Sequence, residues 1–126
     1  MKRGAGPVVD VADPRVVLVG TGSEVSLCVA AARQLTEAGV PARVVSMPCQ
    51  STFLAQDPAF KESILPAGVP VLAVEAGSTY GWDAIADRAI GIDEFGTSAP
   101  GALALEHFGM SVANVVRAAT ELTSRR

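Results

Sequence analysis

The stretch that decides the fold is VVLVGTGSEVSLCVAAARQL, residues 16–35. Its continuous apolar run predicts a strand covered on both faces, at Val16–Gly20. From Glu24 onward the apolar residues recur at helical spacing, with Ser23 as a suitable N-cap and Gly39 as a suitable residue after the helix. The stripe consists of Val25, Cys28, Val29, Ala32 and Leu35. The stretch therefore predicts a strand, a glycine-rich turn and an amphipathic helix.

The rest of the chain alternates strands and helices in the same way. Such alternation predicts an α/β domain with a three-layer open sheet of about five strands, mostly parallel and Rossmann-like. We expect residues 1–12 to form a lead-in or an edge strand, and residues 13–126 to form the domain. The further predicted strands are Val8–Val11 at the edge, Ala42–Met47, Pro70–Ala76 and Ala89–Asp93. The further predicted helices are a short one with Phe60 and Ile64 that ends at Pro66, one around Trp82, one from Pro100 to Gly109, and a last one capped by Ser111 with the stripe Val112, Val115, Val116, Ala119 and Leu122.

Composition excludes several function classes. The chain has 126 residues, a hydrophobic fraction of 49% and a formal net charge of −3 with scattered basic residues. These values predict one globular domain without the basic patch that nucleic acid or an anionic membrane requires. No apolar stretch approaches the roughly 20 residues of a membrane span. Lys2 and Arg3 are not followed by the apolar region of a signal peptide, so we expect a cytoplasmic protein.

The glycine-rich turn is compared with the dinucleotide-binding fingerprint. Gly20 and Gly22 match its first two glycines, but Val25 stands where the third glycine belongs. The second strand ends in Ser46–Pro48 without the expected carboxylate, and the charge of Glu24 would repel a pyrophosphate. A plain strand-to-helix turn is therefore favoured over a nucleotide site. A site for a small anion stays open as an alternative, because helix N-termini expose free N–H groups; its residues are Thr21, Gly22 and Ser23.

Three carboxylates lie at the ends of predicted strands. Glu75 ends the third strand of the parallel set, where ligands tend to bind in such sheets. It is interpreted as a structural carboxylate or as a subunit contact. Asp93 and Glu94 occupy a similar place on the next strand, and an acid/base pair with Glu75 is an alternative.

The remaining chemically active side chains are assigned structural roles. His107 lies at a predicted helix end, where an imidazole interacts well with the last carbonyls. Cys28 belongs to the apolar stripe, and Cys49 has no neighbouring base that would activate a thiol. With one histidine in the chain, no metal cluster is expected. Tyr80 and Trp82 lie in a predicted loop and are of the kind that anchors interfaces.

Eight short motifs in order resemble the C-terminal domain of transketolase, from about Asp13 to Leu122. They are GTGSE at 20–24, VVSMP at 44–48, QD at 56–57, ESILP at 62–66, VEAG at 74–77, GW at 81–82, FGTSAP at 95–100 and FGMSVANVV at 108–116. The chain departs from the family between Trp82 and Ile90, where the segment Asp83–Arg88 is shorter, so no contact of that loop is transferred to this chain.

The resemblance implies a part in two-carbon ketol transfer between sugar phosphates, a reaction of the pentose phosphate pathway. In the family, thiamine diphosphate and a divalent metal lie between an N-terminal and a pyrimidine-binding domain, across a dimer interface and outside the C-terminal domain. This sequence has no Gly-Asp-Gly with a following Asn and lacks the several histidines of such a site. The resemblance therefore implies no catalytic residue, cofactor or metal in this chain, and inactivity in isolation.

The implied partners are the N-terminal and pyrimidine-binding domains or subunits of transketolase, in an enzyme that is a homodimer. The chain is then either a domain of a longer enzyme or a separately encoded subunit. We expect its contacts to lie at Ser78–Trp82 and Phe95–Pro100, with Glu75, Tyr80, Trp82, Phe95 and Pro100 as candidate interface residues. Two alternatives stay open: a regulatory module that binds a small anion or nucleotide, and the last domain of another thiamine enzyme. The SMP, ESILP and FGTSAP strings favour transketolase.

Overall fold

The computed structural model describes residues 6–21, 24–47, 50–75, 85–90 and 111–124. Strands and helices alternate through the middle of the chain as expected, whereas the helices expected around Trp82 and from Pro100 to Gly109 lie outside the described residues. The strands are β1 (Gly6–Val9), β2 (Val16–Gly20), β3 (Ala42–Ser46), β4 (Val71–Val74) and β5 (Arg88–Ile90). The helices are α1 (Glu24–Glu37), α2 (Gln50–Leu54), α3 (Pro58–Ile64) and α4 (Val112–Ser124).

The strands form one mixed sheet in the order β1-β3-β2-β4-β5. β2 pairs in parallel with β3 on one side and with β4 on the other, and β4 pairs in parallel with β5. Only β1 runs antiparallel, beside β3. The expected α/β fold with a mostly parallel sheet of about five strands is confirmed, and it is consistent with a Rossmann-like architecture.

The edge strand was expected at Val8–Val11 and lies at Gly6–Val9. Its pairing with β3 starts at Gly6↔Ser46, and the register shifts between Pro7 and Val9. Proline and an irregular register at the edge both hinder pairing with a further strand. The division into residues 1–12 and 13–126 stays a prediction.

Both faces of the sheet are covered. All residues of β2 are buried, as the continuous apolar run predicts. α1 and α4 cover one face, with a core of Val16, Leu18, Cys28, Ala31, Ala32, Leu35, Ala42, Val44, Leu72, Val74, Ile90, Val115, Ala118, Ala119 and Leu122. The other face packs against α2 and α3, with a core of Val17, Val19, Val45, Met47, Phe53, Ile64, Val71 and Ala73. Ile85 and Ala86, which precede β5, also pack against this core. These are the three layers that the alternation predicts.

The ends of the two long helices follow their sequence signals. After α1, Gly39 has φ +90°, the left-handed conformation that glycine adopts without strain. Val40 N donates to Leu35 O over 2.8 Å, which satisfies a carbonyl of the last turn. Before α4, Ser111 Oγ accepts from Asn114 N over 3.3 Å, so the expected cap is present. The expected cap of α1, at residue 23, lies outside the described residues.

Arg43 on β3 connects three parts of the fold. Its Nε donates to Asp10 Oδ1 over 2.9 Å. Its Nη1 donates to the carbonyls of Ser63 and Ile64 over 3.1 and 3.0 Å. Helix C-termini leave carbonyls without partners, and the guanidinium supplies donors for two of them. Arg43 thereby holds α3 on the second face of the sheet.

Candidate functional site

The carboxyl edge of the sheet has a topological switch point between β2 and β4. From β2 the chain crosses to β3 on one side, while β4 lies on the other side. Gly20 at the end of β2 is paired with Val74 at the end of β4. Ligands of open α/β sheets bind in the crevice outside such a point. Thr21 and Glu75, the residues that follow the two strands, are therefore the described residues that flank the candidate site.

Thr21 and Glu75 contact each other directly. Thr21 Oγ1 donates to Glu75 Oε2 over 2.7 Å in a half-buried position. The backbone on both sides is also held: Glu75 N donates to Ile90 O over 2.9 Å, and Glu24 N donates to Thr21 O over 3.0 Å. The structure thus brings one predicted anion-site residue and one predicted interface residue into a single contact.

This contact bears on the anion alternative. A hydroxyl has one proton to donate, and the hydrogen of Thr21 points to a carboxylate. An anion would have to displace Glu75 and then lie beside its charge. Glu24, in the first turn of α1, adds a second negative charge near the same turn. Gly22 and Ser23 lie outside the described residues, so the choice between a plain turn and an anion site stays a prediction.

Gly20 has a packing role that the sequence motif alone does not reveal. A Cβ at this position would lie 3.1 Å from Cys28 Sγ and 3.2 Å from both the carbonyl carbon and the oxygen of Glu24. These distances are shorter than ordinary van der Waals contacts between carbon and its neighbours. The missing side chain therefore lets the first turn of α1 approach the end of β2. Comparison with the dinucleotide-binding fingerprint did not predict this role of Gly20. In the fingerprint it is the third glycine that allows close packing of helix and strand, and Val25 stands at that position.

Cys28 belongs to the core, as predicted. Its side chain is fully buried among the residues under α1. Burial, together with the smaller effect of the nearby charge of Glu24, raises the pKa of the Cys28 thiol from 9.0 to about 12. Because the thiolate is the reactive form, this thiol is inert at neutral pH.

The buried thiol predicts a dependence of stability on pH. The folded-state pKa of Cys28 lies above its unfolded value, so the unfolded state loses its proton first as the pH rises. The free energy of unfolding should then fall above pH 9, by up to about 1.4 kcal/mol per pH unit. Urea unfolding between pH 8 and pH 10.5 measures this slope. The control is Cys28→Ala, which keeps every other titrating group and should show a shallower decline; equal slopes would contradict the prediction.

Most of the remaining candidate site residues lie outside the described residues. Asp93, Glu94 and His107 lie outside the described residues, as does Cys49, so the acid/base alternative stays a prediction. The same holds for the interface candidates Tyr80, Trp82, Phe95 and Pro100. Within the described ranges, no three His, Cys, Asp or Glu side chains group together as a metal site. Among the described helices, none is long and apolar enough to cross a membrane.

A groove of about 290 Å³, lined by apolar residues together with Lys61 and Glu62, lies beside α2 and α3 on the second face of the sheet. Phe53, Leu54, Leu65 and Ile85 are among its lining residues. The side chain of Leu54 is 41% exposed, which is unusual for a large apolar residue in the described part of the chain. The groove was not predicted, because α2 has no clear periodic signal in the sequence.

Comparison with known proteins agrees with the motif order. The family model for the transketolase-like C-terminal domain matches residues 4–111. The plasmid-encoded transketolase of Cupriavidus necator is 49% identical over 123 residues, which are 95% of this chain and 18% of that enzyme. A transketolase structure from Leishmania mexicana superposes with a TM-score of 0.90 at 46% identity, over 98% of this chain and 18% of that one.

A more distant structure shares the fold alone. A structure of a split gene transketolase, an inactive beta4 tetramer, superposes with a TM-score of 0.72 at 19% identity, over 98% of this chain and 42% of that one. The chain thus spans about 18% of the length of the transketolases it matches at high identity. Because the family model matches residues 4–111 and 95% of the chain is 49% identical to a transketolase, the chain belongs to the transketolase C-terminal domain family.

Proposed function

We propose that the chain supports the assembly of a cytoplasmic transketolase, as its C-terminal domain or as a separately encoded subunit, and that it does not itself bind thiamine diphosphate. One observation carries the proposal: 95% of the chain matches a transketolase of which it covers only 18%. Ketol transfer between sugar phosphates is then an activity of the assembled enzyme. The other domains would hold thiamine diphosphate and its divalent metal.

The chemistry of the described residues supports the proposal that the chain does not itself bind thiamine diphosphate. A bound diphosphate needs backbone N–H donors or cations, and its metal needs a set of oxygen ligands. At the switch point the described side chains are instead the hydrogen-bonded pair of Thr21 and Glu75. Glu24 adds a further negative charge at the start of α1. These residues do not fit a diphosphate.

The carboxyl edge of the sheet is the surface that we assign to the partners. Glu75 is half-buried there, with its carboxylate oriented by Thr21. Tyr80 and Trp82 follow Glu75 in the sequence, and Phe95 and Pro100 follow β5 in the sequence; all four lie outside the described residues. Aromatic side chains are enriched in interface cores. We propose that this edge contacts the other transketolase domains and contributes to a homodimer.

An activity assay tests the assignment. The purified chain, with thiamine diphosphate, Mg²⁺ and sugar phosphates, should give no ketol transfer above the blank. The thiamine-binding part of the Cupriavidus necator transketolase, cut before its matching region, should gain activity when the chain is added. Turnover by the chain alone would contradict the proposal. The matched control is Leu18→Val, a mild core change that leaves the surface unchanged and the chain folded, so the gain in activity should be nearly the same as with the unchanged chain.

Calorimetry tests the anion alternative separately. We expect no saturable heat when phosphate, a sugar phosphate or a nucleotide is added at millimolar concentration, because the Thr21 hydroxyl and the Glu75 carboxylate already occupy the turn. Saturable binding that weakens in Thr21→Val would establish the anion site instead. Glu75→Gln is the matched variant, since it keeps the size of the side chain and removes its charge. If only this variant binds phosphate, the carboxylate is the group that excludes anions.

A further inference from the structure

We draw no further inference here: the strongest candidate, the groove beside α2 and α3 that Phe53, Leu54 and Ile85 help to line, carries none because nothing in the structure shows what covers it.

Discussion

Leu18→Ala is expected to lower the free energy of unfolding by about 3–5 kcal/mol, through lost transfer energy and the cavity left behind. Leu18 is 0% exposed at the centre of β2. Its strand neighbours are Val44 on β3 and Leu72 on β4, and both belong to the same core under α1 and α4. Pairing on both sides restrains the backbone, so the cavity cannot close by a shift of the strand. Because the free energy of unfolding of native domains is only about 5–15 kcal/mol, the variant should be close to unfolding.

Urea unfolding of the two proteins measures this loss. Leu54→Ala is the matched control, because the same atoms are removed from a side chain that is 41% exposed. Its loss should stay below about 1 kcal/mol. If Leu18→Ala does not fold, Leu18→Val provides the smaller step, with an expected loss of about 1 kcal/mol. Equal losses at positions 18 and 54 would mean that the placement of β2 at the centre of the core is wrong.

Gly20→Ala is expected to lower the free energy of unfolding by about 1–3 kcal/mol, the usual range for overpacking. The new methyl group would lie 3.1 Å from Cys28 Sγ and 3.2 Å from the carbonyl of Glu24. The second contact is with backbone in the first turn of α1, so relief requires the helix to move away from the sheet. Thermal or urea unfolding detects the loss, and no loss would show that the helix has room to move.

A double-mutant cycle separates the two contacts of Gly20. Cys28→Ala removes the sulfur atom and leaves the backbone of Glu24 in place. The double variant Gly20→Ala/Cys28→Ala should therefore lose less free energy of unfolding than the two single variants lose together. The difference should be about 0.5–1 kcal/mol. It should still be less stable than Cys28→Ala alone. Strictly additive losses would contradict the contact between Gly20 and Cys28.

The central part of the fold was predictable because its signals are local. β2 is an uninterrupted run of branched apolar residues before Gly20, and within a few residues the apolar positions of α1 recur at the helical period of 3.6. Gly39 and Ser111 mark helix ends by their own backbone and side-chain chemistry. The predicted stripe of α1 nevertheless omitted Ala31, which is buried. A small side chain gives a weak periodic signal even where two elements pack closely.

Other features depend on contacts between distant parts of the chain. The edge strand begins two residues earlier than expected, because its register is set by pairing with Ser46. The contact of Thr21 with Glu75 joins residues 54 positions apart. Each was singled out from its place after a strand, but their pairing depends on which strands are neighbours. Only the strand order of the sheet shows that the predicted anion site and the predicted interface carboxylate meet.

Function was predicted from the order of the motifs and not from any one site. Each motif is short, and the GTGSE turn by itself also resembles half of a nucleotide fingerprint. The family match over residues 4–111 confirms the resemblance. The chemistry of the described residues adds two acidic side chains near the switch point, Glu24 and Glu75.

The mass of the chain by light scattering, alone and mixed with the thiamine-binding part of a related transketolase, tests the central claim most directly. We predict a complex whose mass equals the sum of its parts and which carries the ketol-transfer activity. Separate masses at concentrations where the chain is folded, with no activity gained, would contradict an assembly role at the carboxyl edge of the sheet.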